Sequence, residues 1–126
     1  MSAEILKAVL SVGSGSFLGG AARYLVSIAL KPVGRGFPWG TLLVNLAGCL
    51  LIGLIWGWSG RGTAGGGSLT LFLTMGFCGG FTTFSTFSKE ALMLLQSGNT
   101  GGFAGYVAAS VVIGIAAVAA GWALTR

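Results

Sequence analysis

The sequence predicts an all-α integral membrane protein, a single domain over residues 1–126 with four transmembrane helices and a break in the third. Three observations predict it. The 126 residues are 54% hydrophobic and only 7% charged, with a mean hydropathy of +0.90, whereas a soluble domain carries roughly 25% Asp, Glu, Lys and Arg. The charges (Glu4, Lys7, Arg23, Lys31, Arg35, Arg61, Lys89, Glu90 and Arg126) leave residues 36–60, 62–88 and 91–125 uncharged, with 8–22 a shorter gap of the same kind. A bilayer-crossing helix needs about 20 mostly apolar residues. Lastly, glycines, threonines and serines crowd the last ten residues of the second long gap, where a continuous helix is disfavoured. A soluble enzyme is excluded.

The first span is expected from about Ile5 to Leu30. Residues 8–22, with Lys7 before them and Gly20-Ala21-Ala22 at their end, also resemble a signal-peptide core. Apolar sequence resumes after Arg23 as Tyr24 to Leu30, which suits one continuing helix. Lys31 to Pro38 holds both prolines and reads as a loop. The second span runs from Trp39 to Trp58, with tryptophans at both ends as interfacial anchors. Ser59 to Ser68 is a flexible linker. The third span starts near Leu69 and stays apolar to Leu95, Ser97 to Gly101 is a turn, and the fourth fills Gly102 to Leu124.

Four crossings place Lys7, Arg61 and Arg126 on one side and Lys31, Arg35 and the Lys89/Glu90 pair on the other. The positive-inside bias nearly cancels, so either the orientation is weakly encoded or the chain inserts both ways and pairs antiparallel. Four helices leave little room for an aqueous path, so a route for any solute needs more than one copy, and a two-fold dimer is the commonest closed assembly. Gly is 24 of 126 residues. Small pairs such as Gly105/Ala109 and Ala117/Gly121 allow close helix approach, within one chain or between two.

Absences narrow the chemistry further. The sequence contains neither His nor Asp, which removes histidine catalysis, a Ser-His-Asp triad and His-ligated metals. Cys49 and Cys78 lie in apolar stretches without CxxC spacing and read as small buried hydrophobes. The net charge is +5, yet the basic residues are scattered singly, so no nucleic-acid partner is expected.

The informative residues are the polar ones at membrane depth. Thr41, Asn45, Cys49 and Gly53 recur every fourth residue and share one helix face. A buried amide must find partners, either as helix glue or beside a water-filled cleft. Gly79-Gly80-Phe81-Thr82-Thr83-Phe84-Ser85-Thr86-Phe87-Ser88 predicts an unwound break, tolerated only where protein or a cavity satisfies its backbone. The alternative is a helix whose hydroxyls bond back to the preceding turn. A break frees carbonyls, which at this depth commonly hold cations such as sodium. Phe84 and Phe87 lie three apart, and a ring edge is the positive part of its quadrupole, suited to an anion. Tyr106, Ser110 and Gly114 form a second stripe. Neutral donors with no embedded carboxylate except Glu90 suit a small hydrated anion. Arg23 either snorkels or concentrates anions in a vestibule.

These same residues resemble the signatures of the Fluc (CrcB) family of fluoride channels: the Gly79–Ser88 run, Gly40-Thr41-Leu42-Leu43-Val44-Asn45-Leu46-Ala47-Gly48, and Gly19-Gly20-Ala21-Ala22-Arg23-Tyr24. The resemblance covers nearly the whole chain in order. It implies an antiparallel, dual-topology homodimer with two fluoride pores in a lipid bilayer, requiring no other protein partner. It implies that Asn45, Phe84 and Phe87 line each pore, with Tyr106 and Ser110 on the fourth-helix side and Thr41 among the pore residues. A polar track through Thr83, Ser85, Thr86 and Glu90 and a vestibule near Arg23 follow from the same alignment. It also implies a structural Na+ at the dimer centre, held by the backbone carbonyls of Gly79 and Thr82. Lys89, where the family often has a small residue, and Gly114, which can be Ser, depart from the pattern.

The implied activity is passive, non-enzymatic export of cytoplasmic fluoride through a prokaryotic inner membrane. The main rival is a small multidrug-resistance-type exporter, which depends on a carboxylate inside its first helix. Here the first span has only Glu4, ahead of the membrane. A structural subunit of a larger complex leaves the hydroxyl–phenylalanine run unexplained, and an intramembrane enzyme has no recognisable catalytic set.

Overall fold

The computed structural model describes residues 2–33, 36–60 and 67–126, all helices and connections. Helix α1 spans Ala3–Leu30. Ser2 starts it, its hydroxyl accepting from the Ile5 N–H at 3.2 Å, and Glu4 in the first turn complements the helix dipole. It ends just ahead of Pro32, which has no N–H to carry the helical hydrogen-bond ladder further. Helix α2 spans Trp39–Ser59 and follows Pro38, whose missing N–H costs nothing at a helix start. Both helices match expectation to within two residues. Arg35, Arg61 and most of the expected linker lie outside the described residues.

The third span is broken, as the sequence predicts, but the break is far shorter than the ten-residue run that predicts it. Helix α3 (residues 68–81) joins Ser68–Leu71 through a π-helical stretch, Phe72–Cys78, to Gly79–Phe81. Only Thr82 and Thr83 are extended, with φ/ψ of −91°/160° and −153°/119°. Helix α4, Phe84–Gln96, resumes at once. The reason is local: the Thr83 hydroxyl accepts from the Thr86 N–H at 3.2 Å and caps α4, so residues 84–88 coil despite their composition. Helix α5 covers Thr100–Thr125 and contains a second π-helical stretch, Ala109–Ile113. It starts two residues earlier than expected because Asn99 caps it, its Oδ1 accepting from the Gly102 N–H at 2.8 Å. Gly98, at φ +83°, makes the turn before it.

Among the described residues, α1, α2 and α5 are each long and apolar enough to cross a membrane. Helices α3 and α4 in series occupy the place of the expected third span. Glycine sets how closely these helices approach. Gly15 and Gly19 of α1 lie against Gly76 and Gly80 of α3; a Cβ on Gly80 would sit 2.6 Å from the Ser16 carbonyl oxygen, and one on Gly19 would be driven into that of Phe77. Helix α2 packs along the 114–125 half of α5, where a Cβ on Gly121 would meet the Leu50 carbonyl at 2.5 Å. Gly121 therefore serves packing within the chain, whereas a Cβ on Gly105 would meet nothing within 4 Å. The buried core is small: Leu42, Ala91, Leu94 and Tyr106, with Phe37, Phe87 and Phe103 against it. The apolar exterior suits hydrocarbon rather than water.

Candidate functional site

Breaking a helix redirects its backbone bonds. In an unbroken helix the Thr83 N–H would reach the Gly79 carbonyl and the Phe84 N–H that of Gly80. Instead the Thr83 N–H donates to Asn45 Oδ1 at 2.8 Å, and Asn45 Nδ2 donates back to the Thr83 carbonyl at 3.1 Å. One side chain of α2 thus satisfies both polar groups of the residue at the break. The Gly80 carbonyl accepts from Arg23 Nε of α1 at 3.1 Å. Arg23, expected at an interface or vestibule, is anchored here to the broken span, which satisfies a carbonyl freed at membrane depth. Thr82 continues the helical pattern in part. Its N–H and its hydroxyl both donate to the Cys78 carbonyl, at 3.0 and 2.8 Å. That is the back-bonding alternative, realised at one residue.

Beside the break opens a cleft of about 600 Å³. Asn45 and Cys49 line it from α2, Met75 and Cys78 from α3, Phe84 and Phe87 from α4, and Ser110 from the π-helical stretch of α5. Its walls are chiefly apolar, and none of its described lining residues is charged. The Ser110 hydroxyl oxygen is buried and has no hydrogen-bond partner among the described residues. Such a group costs free energy unless something accepts from it or donates to it. Phe84 is 79% exposed in the single chain, and its ring centroid lies 5.7 Å from that of Phe87 at 46°. The cleft therefore brings together Asn45, Thr83, Phe84, Phe87 and Ser110 of the expected pore set with Gly79 and Thr82 of the expected sodium site.

The remaining expected residues sit elsewhere. Tyr106 is fully buried and its hydroxyl donates to Glu90 Oε1 at 3.1 Å, with Thr41 beside that hydroxyl. Glu90 opens on a separate hollow of about 380 Å³ with Phe37, Met93 and Ser97. Phe87 links the two regions, its ring 5.0 Å from that of Tyr106. At the start of α4 the Thr83 hydroxyl donates to Thr86 Oγ1 at 3.1 Å and lies 3.4 Å from Ser85 Oγ. Thr83, Ser85 and Thr86 thus form a short hydroxyl chain on the outer side of the break. Gly114, one turn beyond Ser110, faces Cys49, whose sulfur would lie 3.5 Å from an added Cβ. Cys49 and Cys78 are both free thiols, as expected, though only Cys78 is fully buried.

The clamps made by Asn45 and Arg23, and the two π-helical stretches beside the cleft, were not foreseen. The four-residue spacing of Gly15/Gly19 and Gly76/Gly80 was the available signal that α1 and α3 pack closely enough for Arg23 to reach Gly80.

The sequence is similar to known proteins over most of its length. A family model described as "CrcB-like protein, Camphor Resistance (CrcB)" matches residues 10–122. A protein of Chlorobium phaeobacteroides named "Fluoride-specific ion channel FluC" is 45% identical over 123 residues, covering 98% of this chain and 96% of its own. Proteins of the same name from Bacteroides fragilis and Methylobacterium nodulans are 45% and 47% identical, each covering 92% or more of both chains.

Proposed function

This chain belongs to the CrcB family, and from that premise we propose that it is a multi-pass, non-enzymatic membrane channel that conducts fluoride selectively and passively. The observation that carries the reading is the cleft at the break. It offers a Ser110 hydroxyl with no partner among the described residues, the Asn45 amide and two phenylalanine rings, and its described lining carries no charge. Fluoride is small and strongly hydrated, so leaving water requires donors placed to replace its shell. The Asn45 amide has two N–H groups, of which the Thr83 carbonyl takes one bond. Ser110 donates through its hydroxyl, and Phe84 and Phe87 offer ring edges. Several weak contacts in series let an ion enter without trapping it.

The export direction follows from acid–base chemistry. Fluoride entering as the neutral acid dissociates in the more alkaline cytoplasm and is trapped there; a pore lets the anion leave down its electrochemical gradient. The membrane proposed is the prokaryotic cytoplasmic one. The conducting unit proposed is an antiparallel homodimer with two pores, in which the 79% exposure of Phe84 leaves a ring available to a partner subunit. Near-balanced flanking charges support insertion in both orientations.

A structural Na+ fits the break. With the Thr83 N–H given to Asn45, the Gly79 carbonyl is released from its helical bond, and the extended Thr82 turns its own carbonyl away from the α3 axis. Gly79 and Thr82 would hold the ion through these hard oxygen donors, which suit sodium. The ion would supply fixed positive charge near an anion path.

The test is efflux from proteoliposomes, followed with fluoride and chloride electrodes in parallel under a potassium gradient with valinomycin. Fluoride loss without chloride loss is expected. Equal rates for both anions, or no flux from folded protein, would overturn the reading.

A further inference from the structure

The chain has two Cys and three Met, and three of these five sulfurs line the one cleft: Cys49, Cys78 and Met75. The register explains how they meet. Asn45 pairs with Thr83, and Gly48 of α2 lies against the Thr82 side chain. One helical turn deeper on each strand of this antiparallel pair come Cys49, four residues after Asn45, and Cys78, four before Thr82. Met75, three residues before Cys78 in the π-helical stretch, lines the same cleft. Cys78 is 2% exposed, Cys49 is half-buried and Met75 is open at 64%, so the cluster runs from the cleft floor to its mouth. Neither thiol is tied up in a disulfide.

Two thiols and a thioether, with no carboxylate or imidazole among the described lining, form a soft donor set. Soft sulfur ligands select Cu(I) and its congeners over the hard cations that carbonyl oxygens prefer, and a d10 monovalent ion is satisfied by two or three sulfurs. We infer that Cys49, Cys78 and Met75 form a binding site for a soft monovalent cation, copper(I) or silver(I), whose occupancy closes the cleft. Binding is ligand exchange without redox change. Each coordinating thiol trades its S–H bond for an S–metal bond and releases the proton to water, while the Met75 thioether donates a lone pair and loses nothing. The bound complex obstructs the cleft beside Phe84 and Ser110 and places thiolate charge where an anion would pass. Gly79 and Thr82 line the same cleft, but their hard carbonyl oxygens suit a different class of cation from these sulfurs.

Closure of a conducting path rests on the function proposed above, so binding is measured separately from flux. Purified protein in detergent is titrated with silver nitrate in chloride-free buffer, and bound silver is counted by native mass spectrometry. One tightly held ion per chain is expected, lost in Cys49→Ser and in Cys78→Ser and weakened in Met75→Leu. Should either serine variant fail to fold, the alanine variant at that position and Met75→Leu carry the test. Tight binding that survives both single cysteine substitutions, or one independent ion per thiol, would overturn the shared site. In nitrate-loaded proteoliposomes silver should stop fluoride efflux through the wild type and spare Cys49→Ser. Undiminished flux at full silver occupancy would overturn closure. Absent wild-type flux without silver would instead overturn the channel reading, leaving the silver count to decide the site.

Discussion

Replacing Asn45 separates a clamp from a passive neighbour. Its amide makes two hydrogen bonds to one residue, at 2.8 Å to the Thr83 N–H and 3.1 Å to the Thr83 carbonyl. Interhelical hydrogen bonds in membranes contribute about 0.6 kcal/mol each on average and up to about 2 kcal/mol, so the pair should contribute about 1–4 kcal/mol. Asn45→Ala leaves both Thr83 groups without this partner in a region where water cannot substitute freely, which places the cost in the upper half of that range. Asn45→Asp keeps an acceptor for the N–H but turns a second oxygen towards the Thr83 carbonyl and adds an anion to the cleft. The assay is denaturant unfolding in detergent micelles beside fluoride efflux from proteoliposomes. Alanine should lower both stability and flux, and aspartate should lower flux further. Wild-type stability and flux in Asn45→Ala would refute the clamp and return Asn45 to generic helix packing.

Other substitutions test neighbouring parts of the argument. Gly19→Ala should destabilise the protein by about 1–3 kcal/mol, since its methyl is driven into the Phe77 carbonyl; detergent unfolding measures this, and an unchanged midpoint would mean α1 and α3 are not in close contact. Ser110→Ala removes a buried hydroxyl that has no partner among the described residues, so stability should hold or rise slightly while fluoride efflux falls. Loss of stability there would place the hydroxyl in structural bonding instead. Arg23→Gln should lower unfolding stability by about 1–3 kcal/mol through the uncapped Gly80 carbonyl. If only the salt dependence of flux changed, Arg23 would act as a vestibule charge.

The helical segments, three of them long and apolar enough to cross a membrane, were legible because charge is so sparse that its gaps outline them. Helix ends were nearly as clear wherever Ser, Asn or Pro punctuates the chain. The break was legible in kind through Gly79-Gly80 and the hydroxyls after them, but not in extent. The same Thr83 that marks a poor helix former also caps the helix that follows, which limits the unwinding to two residues. Asn45 and Ser110 were legible because polar groups at membrane depth must be partnered, Phe84 and Phe87 through their three-residue spacing and the family resemblance, and the cleft gathers all four. What faces each of them was not, since the Asn45–Thr83 and Arg23–Gly80 pairs join residues 38 and 57 apart in sequence. The π-helical stretches left no mark in composition, because inserting one residue into a helical turn changes register rather than residue type.

The most direct measurement is fluoride efflux from proteoliposomes containing Phe84→Ile beside the wild type, with both proteins first shown to be folded in detergent. Isoleucine keeps the apolar bulk but has no ring edge. If fluoride passes the cleft along phenylalanine edges, the variant should lose conduction without losing its fold. Wild-type flux through Phe84→Ile would contradict that route.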